Sequence, residues 1–145
     1  MTLGLADLAV AAAEGAEIER RRDPLKWFHW KSWAAKKLAE TLTRAEVYWH
    51  AGNRSGKTYS SAALAVAMLR GEDELDGVKL PVFGRRVTGI LICPSYKQGA
   101  GATIQAIRDL LGDWPHTEAH AGGPDGVSSI HVQQRGERSQ NRERW

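Results

Sequence analysis

The stretch Ala51-Gly52-Asn53-Arg54-Ser55-Gly56-Lys57-Thr58 constrains this chain more than any other. Two glycines bracket a short polar loop, and a lysine and a threonine follow the second. Val47 to His50 read as a short strand leading in, and Tyr59 to Arg70 as an alanine-rich helix leading out. Strand, glycine loop and helix in that order let backbone N–H groups converge on phosphate oxygens, an approach that a misplaced Cβ would block. Gly52 and Gly56 supply the small residues, and a helix starting near Gly56 adds unpaired N–H groups and the positive end of its dipole. In this reading Ala51 to Thr58 form the cradle. Lys57 reaches the β and γ phosphates of ATP, and the Thr58 hydroxyl is the ligand for Mg²⁺, which prefers hard oxygen donors. Ala51 stands where the strict pattern has glycine, and it is small but less free to take positive φ. The plainer reading is a glycine-serine turn that happens to be followed by Lys-Thr.

With 145 residues, 42% hydrophobic and 26% charged, the chain suits one domain with a modest core. A net charge of +3 and a pI near 9.2 permit nucleic-acid contact without demanding it. Cys93 has no second cysteine to pair with and sits in an apolar run, so a buried thiol and an intracellular setting are expected. Leu3 to Ala13 is apolar, but no positive charge precedes it and Asp7 interrupts it, which argues against a leader peptide. Nothing approaches the roughly 18 apolar residues of a membrane span, so a soluble protein is expected.

Residues 3–22 read as a first helix, weakened at Gly15 and ending in Arg20-Arg21-Arg22, where positive charge suits a helix C-terminus. The same three arginines could instead form a basic corner near a DNA backbone. Asp23-Pro24 is a helix start, with aspartate as cap and proline in the first position. The helix it opens is expected to run to about Leu42, burying Trp27, Trp30, Ala34, Leu38 and Leu42 on one face, with Phe28 and Ala35 beside them and His29, Lys36 and Glu40 opposite. Lys31 falls inside the apolar arc, where its stem packs and its ammonium reaches out. Core packing is the ordinary role for such rings; stacking on an adenine base is the sharper alternative.

Beyond the loop, the helix Thr58 to Arg70 is apolar nearly all round and is expected to be buried, with Gly71 as its cap. Glu72 to Arg86 reads as a charged loop. Val87 to Cys93 is a continuous apolar run of the kind found in a parallel strand covered on both faces. Tyr96 to Leu111 reads as a further helix, loosened at Gly99 and Gly101, with Ile104, Ile107, Leu110 and Leu111 on one side. Gly122 to Gly126 is a turn, and Val127 to Gln133 a half-exposed strand in which Ile130 and Val132 alternate with polar residues. The β-α-β-α order implies an α/β fold, a P-loop NTPase-like three-layer core with a parallel sheet, incomplete here and preceded by N-terminal helices. The expected organisation is an N-terminal helix at 1–22, a partial ATPase domain at 23–133 and an arginine-rich tail at 134–145 without stable structure of its own.

Gly52-Asn53-Arg54-Ser55-Gly56-Lys57-Thr58 resembles the Walker A segment of phage terminase large subunits, the ATP-driven motors that package DNA. The aromatic-rich helix before the loop, Leu80-Pro81, and Ile92-Cys93-Pro94-Ser95 with Gln98 beyond fit the same resemblance, which covers about residues 24–133. It implies ATP hydrolysis coupled to translocation of double-stranded DNA in the full-length protein. It also implies Mg²⁺ as cofactor, a portal and a small terminase subunit as partners, homo-oligomerisation at full length, no membrane association, and a cytoplasmic location in a bacterial host. Arg54, together with Lys57, is the candidate for stabilising transition-state charge, although the match at Arg54 is loose by one residue.

Two departures stand out. The glutamine that contacts adenine in the family lies upstream of the loop, whereas the first glutamine here is Gln98, leaving Trp27, Phe28 or Trp30 to supply stacking. No apolar run after Lys57 ends in the acidic pair of a Walker B strand. Without that carboxylate, Mg²⁺ lacks its second protein ligand and the attacking water its orienting base, so binding is expected to exceed turnover. The chain therefore reads as the front portion of such a motor. A helicase-like nucleic-acid-dependent ATPase, and a module that holds nucleotide or DNA without hydrolysis, are the competing readings.

Overall fold

The computed structural model describes residues 4–42, 56–83, 87–89, 99–120 and 128–134. Helix α1 (Leu5–Arg22) opens with the Asp7 carboxylate accepting from the Gly4 amide at 3.1 Å and closes on its three arginines. Glu17 pairs with Arg20 and Arg21, and Glu19 with Arg22, at the three- and four-residue spacings that place side chains side by side. Alanine-rich composition makes the helix, yet none of its residues is buried.

The single helix expected over 23–42 is instead a 3-10 turn (Pro24–Trp27), an extended bend, and the short helix α2 (Trp33–Ala39) capped by the Ser32 hydroxyl accepting from the Ala35 amide. Ser32 offers the backbone a competing hydrogen bond, which is what serine does at a helix start. The break rephases the wheel. Leu25, Phe28, Ala35 and Ala39 are buried, while Trp27 and Ala34 are exposed and Trp30, Leu38 and Leu42 only half-buried.

Helix α3 (Lys57–Arg70) is the centre of the core. Ala62, Ala63, Leu64, Val66 and Ala67 are all buried, and Gly71 in the left-handed region ends it by donating to the carbonyls of the last turn. Small alanines let neighbours approach closely, so α3 packs against the 3-10 turn, α2, a hairpin and helix α4 (Gln105–Leu111). Leu110 and Leu111 of α4 are wholly enclosed. The wide turn at Gly99–Ile104 leads into α4, in keeping with the loosening expected from two glycines.

The parallel three-layer core is not what the structure holds. Its sheets are two antiparallel pairs, β1 (Glu74–Leu75) with β2 (Val78–Lys79), and β3 (His116–His120) with β4 (Ser128–Val132). Val87 to Gly89, expected to open a covered parallel strand, lies outside any strand, with Thr88 and Gly89 exposed. Ile90 to Cys93 and Val47 to His50 lie outside the described residues. Both sheets form by local pairing: Asp76 and Gly77, both at positive φ, turn the first hairpin tightly, and β3 meets β4 across seven intervening residues. Short loops close cheaply, whereas parallel pairing requires a long crossover. The half-exposed strand expected over 127–133 is present as β4, with Ile130 and Val132 half-buried against the core. Its partner β3, too polar to show as an apolar run, had no counterpart in the sequence reading. Among the described residues no helix is long and apolar enough to cross a membrane.

A buried ion pair ties the ends of this core together. The guanidinium of Arg70, at the end of α3, is 1% exposed. It donates to both carboxylate oxygens of Asp23, at 2.7 and 3.1 Å, lies 2.9 Å from Glu72, and sits 3.7 Å over the Trp114 ring. Burial opposes ionisation of Asp23. The hydrogen bonds and charge of Arg70, with Lys26 beside it, outweigh that cost and hold its carboxyl below the ordinary aspartate value.

Candidate functional site

Of the eight residues expected to cradle phosphate, Ala51, Gly52, Asn53, Arg54 and Ser55 lie outside the described residues, and Gly56, Lys57 and Thr58 lie within them. Gly56 is the N-cap of α3 and takes φ 78° and ψ 12°, the left-handed region that glycine adopts at no steric cost. Its carbonyl accepts from the Ser60 amide at 2.9 Å and so begins the helix. Lys57 and Thr58 occupy the first turn, where backbone N–H groups lack intrahelical acceptors and the dipole is positive. Lys57 is half-buried and Thr58 exposed.

A second reason for glycine at 56 is spatial. A Cβ there would stand 2.8 Å from Lys31 Cβ and 3.3 Å from Lys31 Cγ. The Lys31 stem thus fills the hollow that the missing side chain leaves, and its ammonium lies 5.5 Å from the centroid of Tyr59, in the first turn of α3. The expectation of a packed stem and an emergent head is met, and the stem's packing partner is Gly56. Tyr59 in turn stacks on Phe28 with centroids 5.5 Å apart, and Phe28 meets Trp30 edge-on at 5.0 Å. Burial and the nearby Asp109 carboxylate push the Tyr59 hydroxyl above its ordinary value, so it stays neutral.

The three rings offered for stacking on adenine differ in what they leave open. Phe28 is 2% exposed with its ring engaged on both sides, so it has no surface for a base. Trp30 is half-buried and its Nε1 donates to the Asp76 carbonyl at 3.3 Å, while its own amide donates to the Asp76 carboxylate at 3.1 Å. Trp27 points elsewhere, its ring under the guanidinium of Arg20 at 5.4 Å.

Sequence reasoning missed Ser60. Its Oγ is wholly buried without a hydrogen-bond partner, one turn into α3 and 3.9 Å from the position of a Cβ on Gly56. A serine inside an otherwise apolar helical run was the available signal. Among the described residues no group of three or more His, Cys, Asp or Glu side chains could hold a metal ion, so Thr58 is the metal-ligand candidate that falls within them. Comparison with protein-family models, with curated proteins and with solved structures finds no match to this chain.

Proposed function

We propose that the chain binds the phosphate tail of a nucleoside triphosphate, taken to be ATP with Mg²⁺, at the N-terminus of α3, as the nucleotide-holding part of a terminase-like DNA-packaging motor. One observation carries the binding reading: Gly56 in the left-handed conformation, delivering Lys57 and Thr58 into the first turn of a 14-residue helix whose apolar face forms the centre of the core. That junction places unpaired amide hydrogens, the positive end of a dipole, a lysine and a threonine in one helical turn, which suits a multiply charged oxyanion. The motor assignment rests on the likeness of Gly52 to Thr58 to the terminase loop and not on the sheet, whose topology differs.

In this reading Lys57 neutralises the terminal phosphates, and Thr58 is the residue that would hold Mg²⁺, which would offset phosphate charge there. Ala51 to Ser55, Arg54 included, complete the cradle. With no acidic pair closing an apolar run after Lys57, the chain holds nucleotide far better than it hydrolyses it.

Titration of Mg-ATP against the wild-type chain and Lys57→Ala tests the assignment. Loss of one charge-assisted contact should weaken binding by about tenfold or more, with the circular dichroism spectrum unchanged. Equal affinities in the two proteins would remove Lys57 from the site and the proposal with it. Turnover by the wild-type chain should be negligible, and Lys57-dependent hydrolysis at a rate typical of motors would show that an acid elsewhere supplies the base.

A further inference from the structure

Lys31 lies about twenty-five residues before Gly56 in sequence yet stands against it in space, with its Cβ and Cγ in the hollow over that glycine. Its ammonium is held over the Tyr59 ring, at the first turn of α3, and the residue is exposed to solvent. No acid among the described residues neutralises it. Lys26 and Lys37, by contrast, are paired with Asp23 and Glu40.

A second feature of the same turn points to a ligand. Helical side chains lean toward the N-terminus, so the Ser60 hydroxyl is aimed back at the Gly56–Lys57 turn. There it is completely enclosed and makes no hydrogen bond. Buried hydroxyls are normally satisfied, and an unused one facing a helix N-terminus marks a place where an oxygen-rich ligand, or water held by it, completes the set.

We propose that Lys31 is a second phosphate-binding cation of this site, placed beside Lys57 by the Gly56 hollow and the Tyr59 ring, and that the pair selects polyphosphate tails over a single phosphate. The inference rests on the nucleotide reading above and names a residue which that reading does not use. Two ammonium groups at one helix end favour ligands with several negative charges, because each added phosphate meets a second positive partner. The ring keeps the Lys31 head near the turn without neutralising it.

The test uses the whole chain with inorganic tripolyphosphate, Mg-ATP and AMP as probes. On the wild type, acylation of lysines with and without tripolyphosphate should show Lys31 and Lys57 protected together, while the exposed Lys37 and Lys79 react equally in both conditions. Lys31→Met should weaken tripolyphosphate and Mg-ATP binding by about threefold to tenfold at low salt and flatten its salt dependence, leave AMP binding unchanged, and be rescued by Lys31→Arg. Unaltered affinity and salt dependence in Lys31→Met, or a Lys31 acylated equally with and without ligand, would overturn the proposal. If Lys57→Ala still weakened binding by about tenfold or more in that case, the nucleotide reading would stand without Lys31. Wild-type chain that binds none of the probes and shows no protection at Lys57 would overturn both. The acylation pattern decides the matter even where Lys31→Met folds poorly.

Discussion

At Gly56 two requirements coincide, a positive φ of 78° and a lysine stem within 2.8 Å of where a Cβ would stand. Gly56→Ala should therefore destabilise the chain by about 1–2 kcal/mol through the left-handed backbone alone, with the collision against Lys31 added to it. In urea denaturation the double variant Gly56→Ala/Lys31→Ala should recover the collision and not the backbone cost. Full recovery would mean that the conformation at 56 is not a constraint. Arg70 is the other residue where one side chain decides much. Arg70→Leu removes the guanidinium that the buried Asp23 and Glu72 carboxylates share, leaving Asp23 the exposed Lys26 as its cation, and breaking such a pair from one side costs about 3–5 kcal/mol. The sign of the pH effect follows from Asp23. Its carboxyl is held below its ordinary value in the folded chain, so its contribution is complete above about pH 4 and is lost as pH falls through the lower folded value. Urea midpoints measured between pH 6 and pH 2.5 should fall less steeply in Asp23→Asn than in the wild type. Parallel curves would show that Asp23 carries no linkage.

Between residues and the whole, the β1–β2 hairpin fixes how the segment after the 3-10 turn lies. The Asp76 carboxylate accepts from the Trp30 amide and faces the His29 ring at 3.2 Å, and its carbonyl accepts from the Trp30 indole. Asp76→Gly keeps the positive φ that the turn needs and the carbonyl that holds the indole, and removes the carboxylate that accepts from the Trp30 amide, so it should cost about 1–2 kcal/mol, read as a lower urea midpoint. An unchanged midpoint would show that the carboxylate contributes nothing to holding the segment at Trp30. Helices with strong local signals were legible in the chain: α1 from its alanines and terminal arginines, α3 from its apolar run and Gly71. What was not legible depended on contacts distant in sequence. The break at Ser32 turned a wheel that looked continuous, exchanging the expected burial of Trp27 and Ala34 for that of Leu25 and Ala39. The Leu75-Asp76-Gly77-Val78 hairpin carried a recognisable turn dipeptide inside a stretch so charged that it read as a loop. Of the candidate site, Gly56 at the head of a helix with Lys57 and Thr58 behind it was readable from spacing. Lys31 and Ser60 beside them were not, because pattern reveals which residues are buried and not which neighbours they meet.

For the molecule as a whole, the distribution of burial separates α1 from everything else. The core consists of the 3-10 turn, α2, α3, the first hairpin and α4, with Ile130 and Val132 of the second sheet packed on its edge. Helix α1 contributes no buried side chain, and Leu5, Leu8, Val10 and Ile18 remain exposed. It meets the body near its C-terminal end, where the Asp113 amide donates to the Arg22 carbonyl at 3.2 Å and Arg20 covers Trp27. A helix of 18 residues with no packed face depends on propensity and on pairs such as Glu17–Arg21, and at that length it is marginal in water. Fraying should start at Leu5 and stop near Glu17. Amide hydrogen exchange would then run much faster at residues 8–16 than at residues 61–70 of α3, whose opening requires loss of the core. Deleting residues 1–16 should lower helical ellipticity while moving stability by less than about 1 kcal/mol, as expected for surface that touches nothing. Slow exchange throughout α1, or a large fall in stability on deletion, would mean that its apolar side chains are covered in solution. Exchange measured at two protein concentrations would then show whether a second copy of the chain provides the cover.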